Sequence, residues 1–176
     1  MKKYIVTEDI KQGDMVEVID GEKVRKLRLD DGWVKIGYDQ IPKEIFDKYA
    51  AKPFEIMKIK MRNKDGKVWN NINYFEAQKE CKKLGYRLLK IQELLVLLEW
   101  YKIKNKTVSY NDKEFLGIEE LSFKEDVYYE WIYMTDDIPL FRGGYWGRGS
   151  DAGAFSAFLG NAPSFSYIGF GFRCVR

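Results

Sequence analysis

Apolar and polar residues alternate with a period of two through the first part of the chain. Over residues 4–38, valines and leucines lie in short alternating segments around the turn signal Asp20-Gly21, which predicts strands joined by a hairpin. The period then becomes helical over residues 43–49. We therefore predict a small β-rich N-terminal segment over residues 1–52, either a separate module or part of a single domain.

The next part of the chain combines a hairpin with a helix. Alternating residues and the turn signal Asp65-Gly66 predict the hairpin. Asn73 is a suitable N-cap for the helix, and Gly85 ends it. The apolar residues that we assign to the inner face of this helix are Phe75, Ala77, Cys81 and Leu84.

A second helix is predicted over residues 92–102, where apolar residues surround the helix nearly completely. Such a helix requires burial of most of its surface. The stretch 105–129 is polar and irregular, which is typical of long loops. The segments EWIYMT and PLFRGGYW then favour core strands that lead into the C-terminal part of the chain.

The C-terminal part has a composition unlike the rest. From Ile138 onward there is no Lys, Glu, Gln or Met, although the preceding 137 residues contain 22 Lys and 14 Glu. At that rate, the last 39 residues would contain about six Lys and four Glu. The stretch is rich in Gly, Ser and aromatic residues, which give binding surfaces contact area at a small loss of side-chain entropy. It is therefore the candidate functional region.

Size and charge limit the classes of protein that remain. A chain of 176 residues suits one domain, or one main domain with a small appendage, and its 45% hydrophobic residues are enough for a core. The net charge of +3 comes from 30 basic and 27 acidic residues that are interspersed, which is typical of a solvated mixed surface and predicts no nucleic-acid partner. With no histidine, the commonest general base and metal ligand is missing.

The two cysteines, Cys81 and Cys174, form no CxxC pair, so we predict no cysteine-based metal site. They are either one long-range disulfide or two buried thiols. The N-terminus has no apolar run of signal-peptide length, and no window approaches a membrane span. We therefore expect no membrane insertion, and expect any route out of the cell to be as part of an assembly or through a signal absent from this sequence.

Three separated motifs resemble C-type lectin folds. Residues 74–98, YFEAQKECKKLGYRLLKIQELLVLL, are similar to the first-helix region of those folds. FRGGYW at 141–146 resembles the RGGSW motif of the branch that includes formylglycine-generating enzymes, and GFRCVR at 171–176 resembles its GFRC ending. The resemblance implies an α+β fold with two helices packed on mixed and antiparallel sheets, and a C-type lectin domain over residues 53–176.

The segment between the last two motifs resembles the variable region of proteins that diversity-generating retroelements diversify, whose target genes end in a C-type lectin domain. In that family, template adenines are randomised during reverse transcription, so AAY codons become NNY. NNY codons cannot encode Lys, Glu, Gln, Met or Trp. The resemblance thus gives the compositional gap a cause, with Trp146 as a fixed position, and implies a variable region over about residues 145–170.

Alternation predicts which side chains of this region are exposed. If residues 154–160 form a strand, Phe155, Ala157 and Leu159 face the core, whereas Ser156, Phe158 and Gly160 face outward. Residues 165–170 divide in the same way, with Phe165, Tyr167 and Gly169 on one face and Ser166, Ile168 and Phe170 on the other. The alternative is that Phe158, Phe165 and Tyr167 are core aromatics.

The resemblance implies a role for each residue of the region. The variable, ligand-binding set is Tyr145, Gly147, Arg148, Ser150, Asp151, Ser156, Phe158, Gly160, Asn161, Phe165, Tyr167 and Gly169, with Ile168 as a further candidate. The structural set is Arg142, Gly143, Gly144, Trp146, Cys81 and Cys174. Glycines allow tight turns, the tryptophan anchors the core, and Arg142 and Arg173 bind buried partners. The two cysteines match a helix-to-last-strand disulfide of many C-type lectin folds.

The predicted function is a non-catalytic binding protein, with no cofactor, whose C-terminal face is diversified. On a virion or cell surface it would bind a protein or glycan receptor of a cell, and its N-terminal segment would form a homo-oligomer or dock to a larger assembly. One alternative is an oxidase like the formylglycine-generating enzymes, which use a cysteine pair with copper. Another is a calcium-dependent lectin, although its EPN, QPD and WND triplets are absent and Asp136-Asp137 is equally typical of a solvated turn.

Overall fold

The computed structural model describes residues 5–6, 16–18, 23–26, 32–105, 114–119, 129–143 and 157–176. For residues 5–6, 16–18 and 23–26, and for Asn105, only the backbone is described. Along the described residues, helices and short strands form an α+β fold with four sheets. No helix in these ranges is both long and apolar enough to cross a membrane.

The N-terminal sheet has three strands, β1 (Ile5–Val6), β2 (Val16–Val18) and β3 (Lys23–Lys26). Strand β3 lies in the middle, antiparallel to β2 and parallel to β1. The pairing of Val18 with Val24 agrees with the hairpin that the turn signal between them predicted.

In a second sheet, the C-terminal strand pairs with two strands from the middle of the chain. Its order is β4 (Trp33–Ile36), β5 (Phe54–Met57), β13 (Cys174–Val175) and β6 (Arg87–Leu88). Val175 pairs with Ile56, and Cys174 pairs with Leu88. Because β4 comes from the predicted N-terminal segment, that segment shares a sheet with the C-terminal strand.

The third sheet carries the C-terminal region. Its order is β11 (Ala157–Phe158), β10 (Pro139–Gly143), β9 (Tyr129–Tyr133) and β12 (Phe170–Gly171). Strands β9 and β10 form an antiparallel hairpin, and β12 runs parallel to β9. The two core strands predicted from EWIYMT and PLFRGGYW are therefore confirmed. A small hairpin, β7 (Glu114–Phe115) with β8 (Ile118–Glu119), completes the described strands.

The three helices of the described ranges are α1 (Lys43–Lys48), α2 (Tyr74–Lys83) and α3 (Ile91–Asn105). Asn73 caps α2 as predicted, because its side chain accepts from the amide of Glu76 at 2.9 Å and the Glu76 carboxylate accepts from the amide of Asn73 at 3.0 Å. Gly85, with φ of +78°, ends the segment in a conformation that favours glycine.

The predicted inner face of α2 is partly wrong. Phe75 and Leu84 are 49% and 42% exposed, and the buried residues are Tyr74, Ala77, Gln78 and Cys81. Residues that share a helix face are three or four apart, so Phe75 cannot lie beside Ala77, and Leu84 follows the last helical turn. The exposed side of α2 therefore carries an aromatic ring.

Two clusters of buried side chains form the core. The first is mainly aliphatic and contains residues of α1, α3 and β5, including Leu94, Val96 and Leu97, so the predicted burial of the second long helix is confirmed. The second is rich in aromatic rings and lies between α2 and the third sheet; its largest members include Tyr74, Trp131, Phe141, Phe170 and Phe172. This aromatic cluster supports the C-terminal region.

Candidate functional site

The C-terminal loop (residues 159–169) runs from β11 to β12 and contains two tight turns. The amide of Phe165 donates to the carbonyl oxygen of Ala162, and the amide of Phe170 donates to that of Tyr167, both at 2.9 Å. A proline follows Ala162 at the second position of the first turn, where its fixed φ is favourable. The loop thus has a defined backbone path.

Two further backbone hydrogen bonds anchor the C-terminal loop to neighbouring elements. The amide of Tyr74, the first residue of α2, donates to the carbonyl oxygen of Pro163 at 3.1 Å. The amide of Tyr129, the first residue of β9, donates to the carbonyl oxygen of Gly169 at 2.9 Å. Because both donors begin regular elements, the loop is fixed to the framework at two separate points.

The C-terminal loop exposes large apolar side chains. Leu159 is 60% exposed, Tyr167 and Ile168 are each 50% exposed, and Phe165 is 41% exposed. Residues 157–171 contain no charged side chain. An apolar surface without charges on a fixed backbone is typical of a site that binds another molecule.

Aromatic stacking connects this exposed surface to the core. The ring of Phe170 stacks on those of Trp131 and Tyr129, with centroid distances of 4.6 and 4.9 Å. The half-exposed ring of Phe165 contacts Phe170 edge-on at 5.8 Å. In addition, the indole N–H of Trp131 donates to the carbonyl oxygen of Ile72 at 2.8 Å. These contacts connect the exposed ring of Phe165 to the aromatic cluster through Phe170.

A buried ionic cluster of Glu130, Arg142 and Arg173 lies next to the C-terminal sheet strands, and each residue is at most 3% exposed. One carboxylate oxygen of Glu130 accepts from Arg142 Nη2 at 2.7 Å and from Arg173 Nε at 2.9 Å. The other accepts from Arg173 Nη2 at 2.7 Å. In this geometry, both arginines bind a buried partner, as the sequence analysis expected.

Arg173 extends the buried ionic cluster to the rest of the chain. Its guanidinium also donates to the carbonyl oxygens of Met57, Lys58 and Glu119, each at 3.1 Å. Glu130 pairs across β9 with Arg142 on one side and with Gly171 on the other. The cluster therefore fixes the C-terminal segment against β5, β8, β9 and β10.

Burial by itself raises the pKa of Glu130, because removal from water disfavours the charged carboxylate. The charges of Arg142 and Arg173, with hydrogen bonds from Arg173, outweigh burial and lower the pKa of Glu130 to about 2. Glu130 is thus ionised at neutral pH. Since solvent and ligands have no access to it, the cluster is a structural support rather than a reactive site.

The disulfide between Cys81 and Cys174 joins α2 to β13, with a Cα–Cα distance of 5.6 Å. This settles the choice between a bridge and two thiols. Both cysteines are fully buried. Since each sulfur is bonded to the other, neither cysteine is a free thiol in this state.

The structure places only part of the predicted variable set. Phe165 and Tyr167 are exposed, and Asn161 and Phe158 are half-buried. Gly160 is exposed with φ of +128°, a conformation in which any side chain is strained, and Gly169 is buried. The predicted residues that lie outside the described ranges are Tyr145, Gly147, Arg148, Ser150, Asp151 and Ser156, together with Gly144 and Trp146 of the structural set.

The predicted alternation around β11 is wrong. Phe158 pairs directly with Phe141 across β10 and stacks on its ring at 5.7 Å, so Phe158 faces the aromatic cluster. Ala157 and Leu159, which were assigned to the core, are exposed. Among the described residues, β11 ends at Phe158, so Leu159 lies beyond it and is a surface residue that the sequence analysis missed.

Alternation also fails over residues 165–170, because this stretch consists of turns instead of a strand. Phe165, Ser166, Tyr167 and Ile168 are consecutive exposed residues. Phe170 is the first residue to return to the core. The exposure of Ile168, which was only a further candidate, enlarges the apolar surface.

Structural roles for two other predicted positions are visible. Gly143 is buried at the end of β10 with φ of +102°, a conformation that favours glycine. Asp136 and Asp137 lie in the exposed turn between β9 and β10, where the amide of Ile138 donates to Thr135 Oγ1 at 3.0 Å. Within the described ranges, no three His, Cys, Asp or Glu side chains form a group that could bind a metal ion.

No family model matches the chain, and no curated protein matches it. Solved structures to which it is similar include the Major Tropism Determinant U1 Variant (11% identity, TM-score 0.44), the M1 Variant (12%, 0.45) and the I1 Variant (11%, 0.44). The matches cover 81% to 82% of this chain but 48% to 49% of those chains, so this chain spans about half their length. These neighbours are variants of a tropism determinant.

Proposed function

We propose that this chain is a non-catalytic receptor-binding protein with a C-type lectin domain, and that its C-terminal face binds a protein or glycan receptor on a cell surface. The observation that carries the proposal is the uncharged, apolar C-terminal loop, whose exposed side chains project from a backbone anchored at Tyr74 and Tyr129. Exposed side chains on a fixed scaffold determine which ligand binds, whereas the fold depends on the buried residues.

The energetics of the C-terminal loop suit this role. Tyr167 and Phe165 can each bury a large area on binding while losing few rotatable bonds, as aromatic residues of binding surfaces do. Substitution of exposed residues typically changes stability by within about 0.5 kcal/mol, so the surface can change while the core remains. The aromatic cluster and the buried ionic cluster stabilise the scaffold independently of these exposed side chains.

We propose further that retroelement mutagenesis at adenines diversifies this face at the predicted variable positions other than Phe158, which packs on Phe141 in the aromatic cluster. The described members of this set differ in how much the backbone would have to change to accept a different side chain. Phe165 and Tyr167 already project outward, whereas Gly160 and Gly169 would need a local backbone change, because the first has a positive φ and the second is buried. Leu159 and Ile168 join the set as contact residues on the grounds of their exposure.

The encoding DNA tests the diversification. Phe, Tyr, Asn and Asp always have codons ending in C or T, so the informative positions are those with four or more codons: Gly147, Arg148, Ser150, Ser156, Gly160 and Gly169. We expect codons ending in C or T at all of them, a nearby template repeat with AAY at the same positions, and a reverse transcriptase gene. Codons ending in A or G at these positions, or no template repeat, would refute the mechanism.

Binding to cells tests the receptor role. The fluorescently labelled protein is incubated with a panel of cell types, and bound label is measured with untreated, protease-treated and periodate-treated cells. Loss of binding after protease identifies a protein receptor, and loss after periodate identifies a glycan. The double variant F165A/Y167A should bind the same cells at least about tenfold more weakly, since two aromatic contacts are removed.

The matched control removes an exposed apolar side chain elsewhere. Ile103 on α3 is 54% exposed, so I103A should keep the binding of the parent protein. Equal binding by F165A/Y167A and I103A, both folded, would contradict the proposal that the C-terminal loop contacts the receptor.

A further inference from the structure

A groove separates α2 from the turn between β9 and β10, on a surface that the proposed receptor binding does not use. It consists of two open cavities of about 520 and 300 Å³ that share Gln78, Lys82 and Asp136 as lining residues. Because they share these residues, the two cavities lie next to each other along α2. We call the two cavities together the α2 groove.

The walls of the α2 groove are fixed to each other. The hydroxyl of Tyr74 on α2 donates to the carbonyl oxygen of Thr135 in the turn at 2.6 Å, and burial raises the pKa of Tyr74 to about 12. On the other side, the amide of Tyr133 donates to the carbonyl oxygen of Leu89 at 2.8 Å. The groove is therefore a preformed feature of the described structure.

Basic side chains dominate one wall of the α2 groove. Lys83 is paired with Glu80 at 2.6 Å, and Arg87 is paired with Glu93. In contrast, the ammonium groups of Lys79, Lys82 and Lys90 form no ion pair with any part of the chain that the structure describes. These three exposed lysines line the groove. Three cations thus remain available to an external anion.

The opposite wall differs in charge. It carries the carboxylates of Asp136 and Asp137, which repel a simple anion but accept hydrogen bonds from N–H donors. One end of the groove is lined by the ring of Phe75, which is 49% exposed. A ligand that satisfies all three features needs carboxylates on one side, N–H groups on the other and an apolar side chain.

We propose that the α2 groove is a second binding site, and that its ligand is an extended acidic peptide segment of a partner protein. The peptide's Asp or Glu side chains pair with Lys79, Lys82 and Lys90. Its backbone N–H groups donate to Asp136 and Asp137, and one of its apolar side chains packs on Phe75. Such a site would attach the chain to an acidic partner while the C-terminal loop binds the receptor.

Fluorescence anisotropy with a defined probe tests this site. The probe is a fluorescein-labelled peptide that contains one phenylalanine among glutamates, and the control probe has glutamine in place of each glutamate. We expect the acidic probe to bind the full chain, to lose affinity as salt increases, and to bind better than the glutamine probe. Inorganic phosphate should compete poorly, because Asp136 and Asp137 repel it.

Variants locate the binding. K79Q/K82Q removes two cations of the groove and should weaken probe binding by roughly tenfold, while glutamine preserves the helix propensity of α2. K52Q/K64Q makes the same change of charge at two exposed lysines outside the groove and should leave affinity within about twofold. Thermal melts of both variants test whether the fold is retained.

Several results would overturn the inference. Absence of binding by the acidic probe, equal weakening by the two double variants, or equal binding of the glutamine probe would each refute an acidic-peptide site. Competition by phosphate as effective as by the unlabelled peptide would indicate a simple anion site instead. F165A/Y167A should bind the probe normally, so failure here is distinguishable from failure of the receptor proposal.

Discussion

Replacement of Glu130 by glutamine should destabilise the fold far more than removal of any exposed carboxylate. Glu130 is 3% exposed and accepts three hydrogen bonds of 2.7 to 2.9 Å from Arg142 and Arg173. Glutamine has nearly the same shape, but it has no charge and its amide N–H groups face the N–H groups of the arginines. E130Q therefore leaves two buried cations without their anion.

Two lines of reasoning give the magnitude. Removal of one partner from a buried ion pair typically costs about 3–5 kcal/mol, because the remaining charge is buried and uncompensated. Independently, a decrease of the Glu130 pKa from 4.5 to about 2 on folding corresponds to roughly 3 kcal/mol of stability at neutral pH. We therefore expect E130Q to lower the free energy of unfolding by about 3–5 kcal/mol at pH 7.

The effect should depend on pH with a defined sign. The folded-state pKa lies below the unfolded value, so the folded protein binds fewer protons and the stabilisation is fully present above about pH 5. It is lost as the pH falls through 4.5 towards 2. The difference between wild type and E130Q should accordingly decrease to less than about 1 kcal/mol near pH 2.

Urea unfolding, followed by tryptophan fluorescence between pH 7 and pH 2, measures both quantities. The control is E80Q, which breaks the surface pair of Glu80 with Lys83 and should cost less than about 1 kcal/mol at every pH. Equal costs for E130Q and E80Q, or a cost of E130Q that does not change with pH, would refute the conclusion that the buried ionic cluster supports the C-terminal segment.

Three further perturbations have expected outcomes. C81S/C174S removes a bridge that closes a loop of 93 residues, and in the loop-entropy model it should lower the free energy of unfolding by roughly 4–5 kcal/mol. In calorimetry, a reducing agent should lower the melting temperature of the parent protein but should leave that of the variant unchanged. N73A removes the capping box of α2 and should cost about 1 kcal/mol in urea unfolding, whereas an unchanged midpoint would mean that the cap contributes nothing. G160A should cost about 1–3 kcal/mol because φ is +128°, while S164A in the same loop should change stability by at most about 0.5 kcal/mol; equal effects would show that the backbone adapts.

Sequence patterns predicted the parts of the fold that depend on local signals. The cap at Asn73, the end at Gly85, and the burial of the second long helix follow from local chemistry and from apolar residues that surround the helix. Strands β9 and β10 were found because each consists mainly of apolar and aromatic residues. The position of β13 between β5 and β6 could not be found in this way, because it depends on contacts between residues far apart in the sequence.

The candidate site shows where periodicity ceases to be informative. Only two residues of strand β11 are described, and the pairing of Phe158 with Phe141 determines which of their side chains faces the core. In the C-terminal loop, turns expose consecutive residues, so Ile168 was only a further candidate and Leu159 was assigned to the core. The roles of Arg142 and Arg173 were predicted correctly, but their common partner Glu130 had no signal in the sequence.

The most direct test of the central claim is the folding of an NNY-codon library at Phe165, Tyr167 and Ile168. Thermal melts of individual members, each purified with its disulfide intact, compare this library with one made in the same way at Trp131, Phe141 and Phe170. We predict that most members of the first library melt within a few degrees of the parent, and that most members of the second do not fold. A similar loss of folding in both libraries would contradict the claim that the exposed loop is separable from the scaffold that supports it.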